Sequence, residues 1–248
     1  MGSNLFVGFF WAQRRLNGLL ALLAISLLAL GCTSATPIPI PTQTTPQQYP
    51  LIKLPDPRLK GEISLEETLF QRRSVRDYAP ESLRLEEVSQ LLWAAQGKTA
   101  DWGGRTAPSA GALYPLETYL VVGKVENLPP GVYKYNPERH ELAKVRDGDV
   151  REQLAAAAVG QACVREGSIS IIIAAVYERT MVKYGERGVR YVHMEAGHAA
   201  QNICLQATTL DLGTVTVGAF HDDRVKDIVG LSENESPLYV IPVGRKKG

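Results

Sequence analysis

Apolar positions recur at helical spacing between residues 85 and 96. Leu85, Val88, Leu91, Leu92 and Ala95 share one face, Glu86 and Glu87 fall in the first turn, and Gly97 supplies a stop, so Leu85–Gln96 is predicted to be a helix. A shorter helix is predicted over Leu65–Gln71. Residues 118–122 are β-branched and apolar, residues 131–135 and 141–145 flank a turn at Asn136-Pro137, and residues 169–176 form a continuous apolar run. These read as a strand, a hairpin and a fully buried strand. A long helix is predicted over residues 191–212, ended by Gly213. Its Ala196, Gly197, Ala199, Ala200, Ile203, Ala207 and Leu210 form a surface rich in small side chains, which lets another backbone approach closely and suits a central or interface helix. Strands over residues 214–217 and 237–243 complete the pattern. Helices and strands mix without regular alternation, so the expected class is α+β with a largely antiparallel sheet flanked by helices.

The first 60 residues follow another pattern. Arg14-Arg15 precede an uncharged apolar run over residues 19–30 that ends in Gly31-Cys32. The run has the length of a signal-peptide core and is short for a bilayer span. Residues 1–32 resemble a bacterial signal with a lipoprotein cleavage box, in which Cys32 would be acylated; an ordinary cleaved signal and an uncleaved anchor are the other readings. Export and membrane anchoring on the extracytoplasmic face are expected, and a translation start downstream of the signal would leave the protein cytoplasmic. Residues 33–60 are rich in Pro, Thr and Gln and read as an extended tether. The folded unit is expected over residues 61–248.

With 248 residues and a net charge of +1, the chain can bury a sizeable core and has no basic excess suited to nucleic acid. Cys163 and Cys204 stand among small apolar residues, where inert buried thiols are expected. The charge of interest is local. Arg72, Arg73 and Arg76 surround Ser74, and Arg245-Lys246-Lys247 echo them near the C-terminus. Two such clusters suit an anion such as a phosphate, with one arginine left to reach another part of the same ligand.

Several motifs fail their chemistry. Gly97-Lys98-Thr99 ends like a phosphate-binding loop, but Leu92 occupies the required first glycine position and a helix precedes it. No GxGxxG pattern supports a nicotinamide-binding domain. Ala107-Pro108-Ser109-Ala110-Gly111 approximates a serine-hydrolase elbow with alanine for the first glycine, which keeps a hydrolase as a remote alternative. His193 and His198 are five apart on a helix and diverge, where a zinc pair needs four, so no metal is assigned. Lys183-Tyr184, just after the buried strand, is either a solvated basic loop or a proton-transfer pair.

Arg72-Arg73-Ser74-Val75-Arg76, residues 108–115, Lys183-Tyr184 with Arg187 and Arg190-Tyr191, residues 195–202, Val217-Gly218-Ala219-Phe220 and Pro242-Val243-Gly244-Arg245 occur in this order. Together they resemble the FMN-dependent nitroreductase superfamily, and within it the SagB-type branch of thiazoline and oxazoline dehydrogenases. The resemblance implies an intertwined homodimer with FMN at the interface. It places Arg72, Arg73, Ser74 and Arg245 on the FMN phosphate and ribityl tail and Arg76 at the N1/O2 edge. Pro108, Ser109 and Ala110 would come from the partner chain, and Val217, Gly218 and Ala219 would line N5. It also implies ping-pong hydride transfer through N5, with Lys183-Tyr184 moving the proton during dehydrogenation of a small molecule or peptide. The electron donor stays open, and an exported flavin-binding redox relay without a dedicated organic substrate is the alternative.

Overall fold

A computed structural model describes residues 50–247. The expected signal segment over residues 1–32, with Cys32, and most of the Pro-rich stretch lie outside the described residues. In chain order the elements are β1 (Leu51–Lys53), α1 (Leu65–Gln71), β2 (Tyr78–Ala79), α2 (Leu85–Gln96), β3 (Leu116–Val122), β4 (Gly131–Asn136) and β5 (Glu141–Asp147). They continue with α3 (Arg151–Ala157), α4 (Ala162–Glu166), β6 (Ile169–Ala175), α5 (Tyr177–Tyr184), α6 (Arg187–Thr209), β7 (Leu212–Thr214), α7 (Asp222–Val229) and β8 (Ser236–Lys246). Among the described residues, no helix is long and apolar enough to cross a membrane.

The strands make one antiparallel sheet in the order β1-β5-β4-β3-β6-β8-β2, with β7 also paired to β8. Strand β6 shows why both faces are covered. Ile169, Ile171 and Ile173 point into a cluster with Val88, Leu91 and Leu92 of α2 and Val192, Ala196 and Ile203 of α6. Ile172 and Ala174, on the alternate face, join Leu154 of α3, Val164 of α4 and Val225 of α7. A strand buried on two faces reads as an unbroken apolar run, which is the pattern seen at residues 169–175. The fold is thus α+β, with helices on both faces of the sheet.

The boundaries of α1 and α2 match the expected ones. Ser64 caps α1, its Oγ accepting the Glu67 N–H (3.1 Å). Four expectations are corrected. The long helix begins four residues earlier, at Arg187, because Gly185, at φ 55°, is the break that separates it from α5. It ends at Thr209, and Gly213 instead sits in β7, where an added Cβ would lie 2.7 Å from Val75 Cγ1. The closing strand over residues 214–217 is replaced by β7, with Val217 making only an isolated bridge to Val240. Ordered structure also precedes Gly61: β1 pairs with β5, Leu54 is buried, and Ser89 Oγ donates to the Pro55 carbonyl (2.6 Å). β1 itself carries no proline; Pro50 and Pro55 lie outside it. The short elements β2, α3, α4 and α7 add to those the sequence predicts.

Candidate functional site

The loop between α2 and β3 carries an unusual backbone. Gly111 (φ 64°), Ala112 (φ 54°) and Tyr114 (φ 44°) all take left-handed conformations. For a non-glycine residue this costs about 1–2 kcal/mol. Hydrogen bonds compensate. Ser109 Oγ accepts the Tyr114 N–H (2.9 Å), the Ser109 carbonyl accepts the Ala112 N–H (3.1 Å), and Arg179 Nη1 donates to the Tyr114 carbonyl (3.2 Å). The Arg105 guanidinium lies over the Tyr114 ring, 4.5 Å from its centroid. Ser109 leads into a single 3-10 turn and then a strand, so it does not occupy a strand-to-helix elbow.

Lys183 and Tyr184 meet this bend. They close α5 instead of lying in a basic loop, because Tyr177, Thr180, Met181 and Tyr184 form a helical stripe turned toward the protein. A Cβ added at exposed Gly111 would lie 2.9 Å from Tyr184 Oη and 3.0 Å from Lys183 Nζ. An amine and a phenol therefore converge on one position that glycine keeps open. The Lys183 ammonium is 5.5 Å from the Tyr184 ring centroid, and Tyr191 of α6 packs edge-on against Tyr184 at 5.1 Å. Lys183 is exposed and Tyr184 half-buried, so the pair is open to a substrate and has one rigid wall.

The arginine segment follows α1 as a turn outside regular structure. Its Val75 N–H donates to the Thr214 carbonyl (2.9 Å), which pins the segment to β7. Arg73 Nη1 reaches only the carbonyls of Phe70 (2.8 Å) and Arg72 (2.7 Å). Among the described residues no carboxylate pairs with Arg72, Arg73 or Arg76. Ser74 and Arg76 are exposed, and the charge of Arg76 acts on Cys163 and Tyr78. Val217 is buried beside β8, whereas Gly218 and Ala219 are exposed, with nothing within 4 Å of a Cβ added at Gly218. Gln161 Nε2 donates to the Ala219 carbonyl (3.2 Å) and holds that segment to the start of α4.

Arg245 is placed differently from the expected anion ligand. Its Nη1 and Nη2 donate to Glu87 Oε1 (2.8 Å) and Oε2 (2.7 Å), a bidentate pair with a carboxylate only 3% exposed. The Arg84 N–H and guanidinium contact the same carboxylate at 2.8 and 3.0 Å. Burial opposes ionisation of Glu87, and the hydrogen bonds from Arg245 and Arg84 outweigh it, holding its pKa below the usual carboxylate range. Nothing in the sequence near Arg245 points to Glu87, 158 positions away.

Glu195 is a polar group to which the sequence reading gave no role. It lies on α6, 3% exposed, and among the described residues its Oε1 has no hydrogen-bond partner. Burial pushes its pKa up to about 7, against opposing effects of Ser109 and Arg105.

The nitroreductase family profile matches residues 69–245, a span that contains the arginine turn, the left-handed loop and the Lys183-Tyr184 pair. The chain belongs to the nitroreductase family. A nitroreductase-type protein of Methanocaldococcus jannaschii is 51% identical over 195 residues, covering 79% of this chain and 96% of its own. The microcin B17-processing protein McbC of Escherichia coli is 28% identical over 142 residues, 55% of this chain and 52% of its own. A crystal structure of a nitroreductase-type protein from Anabaena variabilis superposes with a TM-score of 0.71 at 31% identity, over 82% of this chain and 42% of that one. The chain thus spans about half or less of the latter two proteins. Its relatives at 28–29% identity include a further processing protein, and the activity the family supports is that of an oxidoreductase.

Proposed function

We propose that the protein is an FMN-dependent oxidoreductase that dehydrogenates a small molecule or peptide, with Lys183 and Tyr184 handling the proton. The observation that carries this reading is the convergence of Lys183 Nζ and Tyr184 Oη on Gly111. The residues present fit the cofactor. Three arginines that have no carboxylate partner among the described residues, on one pinned turn, suit a phosphate monoester, and open backbone at Gly218 suits the approach of a flat ring. When bound, FMN supplies a hydride acceptor and returns the electrons to a second substrate.

In this reading Arg72, Arg73 and Ser74 hold the phosphate, and Arg76 supplies positive charge at the N1/O2 edge. Val217, Gly218 and Ala219 line the ring through backbone groups. Arg245 is left out of the grip, because withdrawing it would strip a buried carboxylate of its partner. Pro108, Ser109 and Ala110 would serve the site of a second subunit. The partially exposed apolar residues Leu65, Leu69 and Phe70 of α1 and Met194 of α6, on helices that touch, support such a homodimer.

A yellow protein that releases FMN on denaturation is the expected result, and a colourless one that does not take up added FMN would end the reading. Arg72→Ala should weaken FMN retention by about 2 kcal/mol, roughly thirtyfold in Kd, as for one charge-assisted hydrogen-bonded partner. Equilibrium dialysis against FMN checks it; an unchanged Kd would move the phosphate elsewhere. We also propose export with acylation of Cys32. Cys32→Ser should shift the full-length protein from the detergent phase to the aqueous phase in Triton X-114 partitioning, and identical partitioning of both forms would remove the anchor.

A further inference from the structure

Helix α5 is fastened to the left-handed loop at two successive carbonyls. The Pro115 carbonyl accepts the N–H of Val176, the N-cap of α5 (2.9 Å), and the Tyr114 carbonyl accepts Nη1 of Arg179, one turn further on (3.2 Å). Arg179 and Lys183 are four apart on α5 and so lie one above the other on the same face. That face meets the loop twice in register, Arg179 at Tyr114 and Lys183 at Gly111. We propose that Arg179 is a positioning residue for the proton-transfer pair: its guanidinium bridges the Tyr114 carbonyl to the Glu117 carboxylate and so sets the distance at which Lys183 and Tyr184 stand from Gly111. The assignment rests on the function proposed above.

Both ends of the bridge are anchored. On the carboxylate side, Arg179 Nη2 donates to Glu117 Oε1, while Glu117 Oε2 pairs with Lys134 Nζ (3.0 Å). Lys134 also pairs with Glu235 Oε1 (2.7 Å), and Glu235 Oε2 accepts the Tyr119 hydroxyl (2.6 Å) and the Ser232 N–H (3.0 Å). Glu235 is 3% exposed, so this chain of alternating charge runs from buried structure out to Arg179 and holds Glu117 in one orientation. On the loop side, Tyr114 keeps a left-handed backbone (φ 44°), and its two polar groups are bonded by Ser109 Oγ at the N–H and by Arg179 at the carbonyl. A planar guanidinium serves two acceptors at once, which the single ammonium of a lysine does less rigidly. The Arg179 side chain is 43% exposed, so its removal opens no cavity in the core and loosens one clamp between α5 and the loop.

The test uses the full-length, FMN-loaded protein. In Arg179→Ala the isotope-labelled Tyr114 carbonyl carbon should move upfield as its hydrogen bond is lost, and the nuclear Overhauser contact between Gly111 and the Tyr184 ring should weaken, with the β6 resonances unmoved. Dehydrogenation should fall about 10²-fold in kcat with KM little changed, the expected penalty for a misplaced reacting group. Millimolar guanidinium ion added to Arg179→Ala should restore kcat, and ammonium should not. Should Arg179→Ala fail to fold, Arg179→Lys, which keeps the charge and lacks the fork, must show the same displacements in smaller measure. An unmoved Tyr114 carbonyl, or a Gly111–Tyr184 contact and a kcat both at the wild-type level, overturns the proposal. A wild type that dehydrogenates nothing retires the proposed function alone. The Gly111 contact then decides the positioning, its loss in Arg179→Ala supporting it and its persistence overturning it.

Discussion

If the proposed function holds, alanine at Lys183 should lower dehydrogenation of a thiazoline- or oxazoline-containing peptide by about 10²–10⁴-fold while FMN content stays at the wild-type level. That range is the contribution of a positioned general acid or base. The cofactor is spared because Lys183 sits at the end of α5 and meets the left-handed loop, while the arginine turn is pinned separately to β7. Single-turnover absorbance changes at matched flavin content measure the step. Wild-type rates in Lys183→Ala would exclude this amine and favour a redox relay. Tyr184→Phe keeps the packing against Tyr191 and removes only the hydroxyl at the Gly111 position, so its loss of activity reports the proton and not the fold.

Glu87→Ala produces the largest loss of stability, about 3 kcal/mol. The carboxylate is 3% exposed and receives both ends of the Arg245 guanidinium together with the backbone and side chain of Arg84. Its removal leaves Arg245, itself 28% exposed, without its bidentate partner, and part of that charge can be recovered by water. The folded-state pKa is depressed, so the stabilisation is present above the unfolded carboxyl range and is lost as pH falls through the lower, folded value. Urea midpoints at neutral and acidic pH measure both effects. A midpoint for Glu87→Ala equal to wild type at neutral pH would show that the pair is energetically idle.

Much of the architecture was legible because local signals and tertiary demands agreed. Ser64, Glu66 and Glu67 open α1, and Gly97 closes α2, so the boundaries of both helices follow from capping and charge alone. The run Ile169–Ala175 announced a strand covered on both faces. Agreement failed where the deciding partner was distant. The Pro-rich stretch contains β1, whose strand character exists only through β5 and through the contacts of Leu54 and Pro55. Gly213 reads as a helix stop but is required under Val75, where no side chain fits. At the site, the residue types at positions 72–76, 108–110 and 183–184 were visible as motifs. The pairing of Arg245 with Glu87 was not, since only the fold brings residues 158 positions apart into contact. Glu195 was visible as a residue but not as a buried acid with one oxygen unpartnered among the described residues, a property that depends on what α6 packs against.

Strand β8 is 11 residues long, lies near the end of the chain, and pairs with β6, β2 and β7. During synthesis the sheet therefore waits for β8: β6, at residues 169–175, emerges with one edge still lacking its neighbour, and long sequence separations slow the closing step. A ribosome that stops before Ser236 releases a polypeptide in which Ile169, Ile171, Ile172 and Ile173 of β6 lack the strand that should lie beside them, an aggregation-prone edge for chaperones to shield.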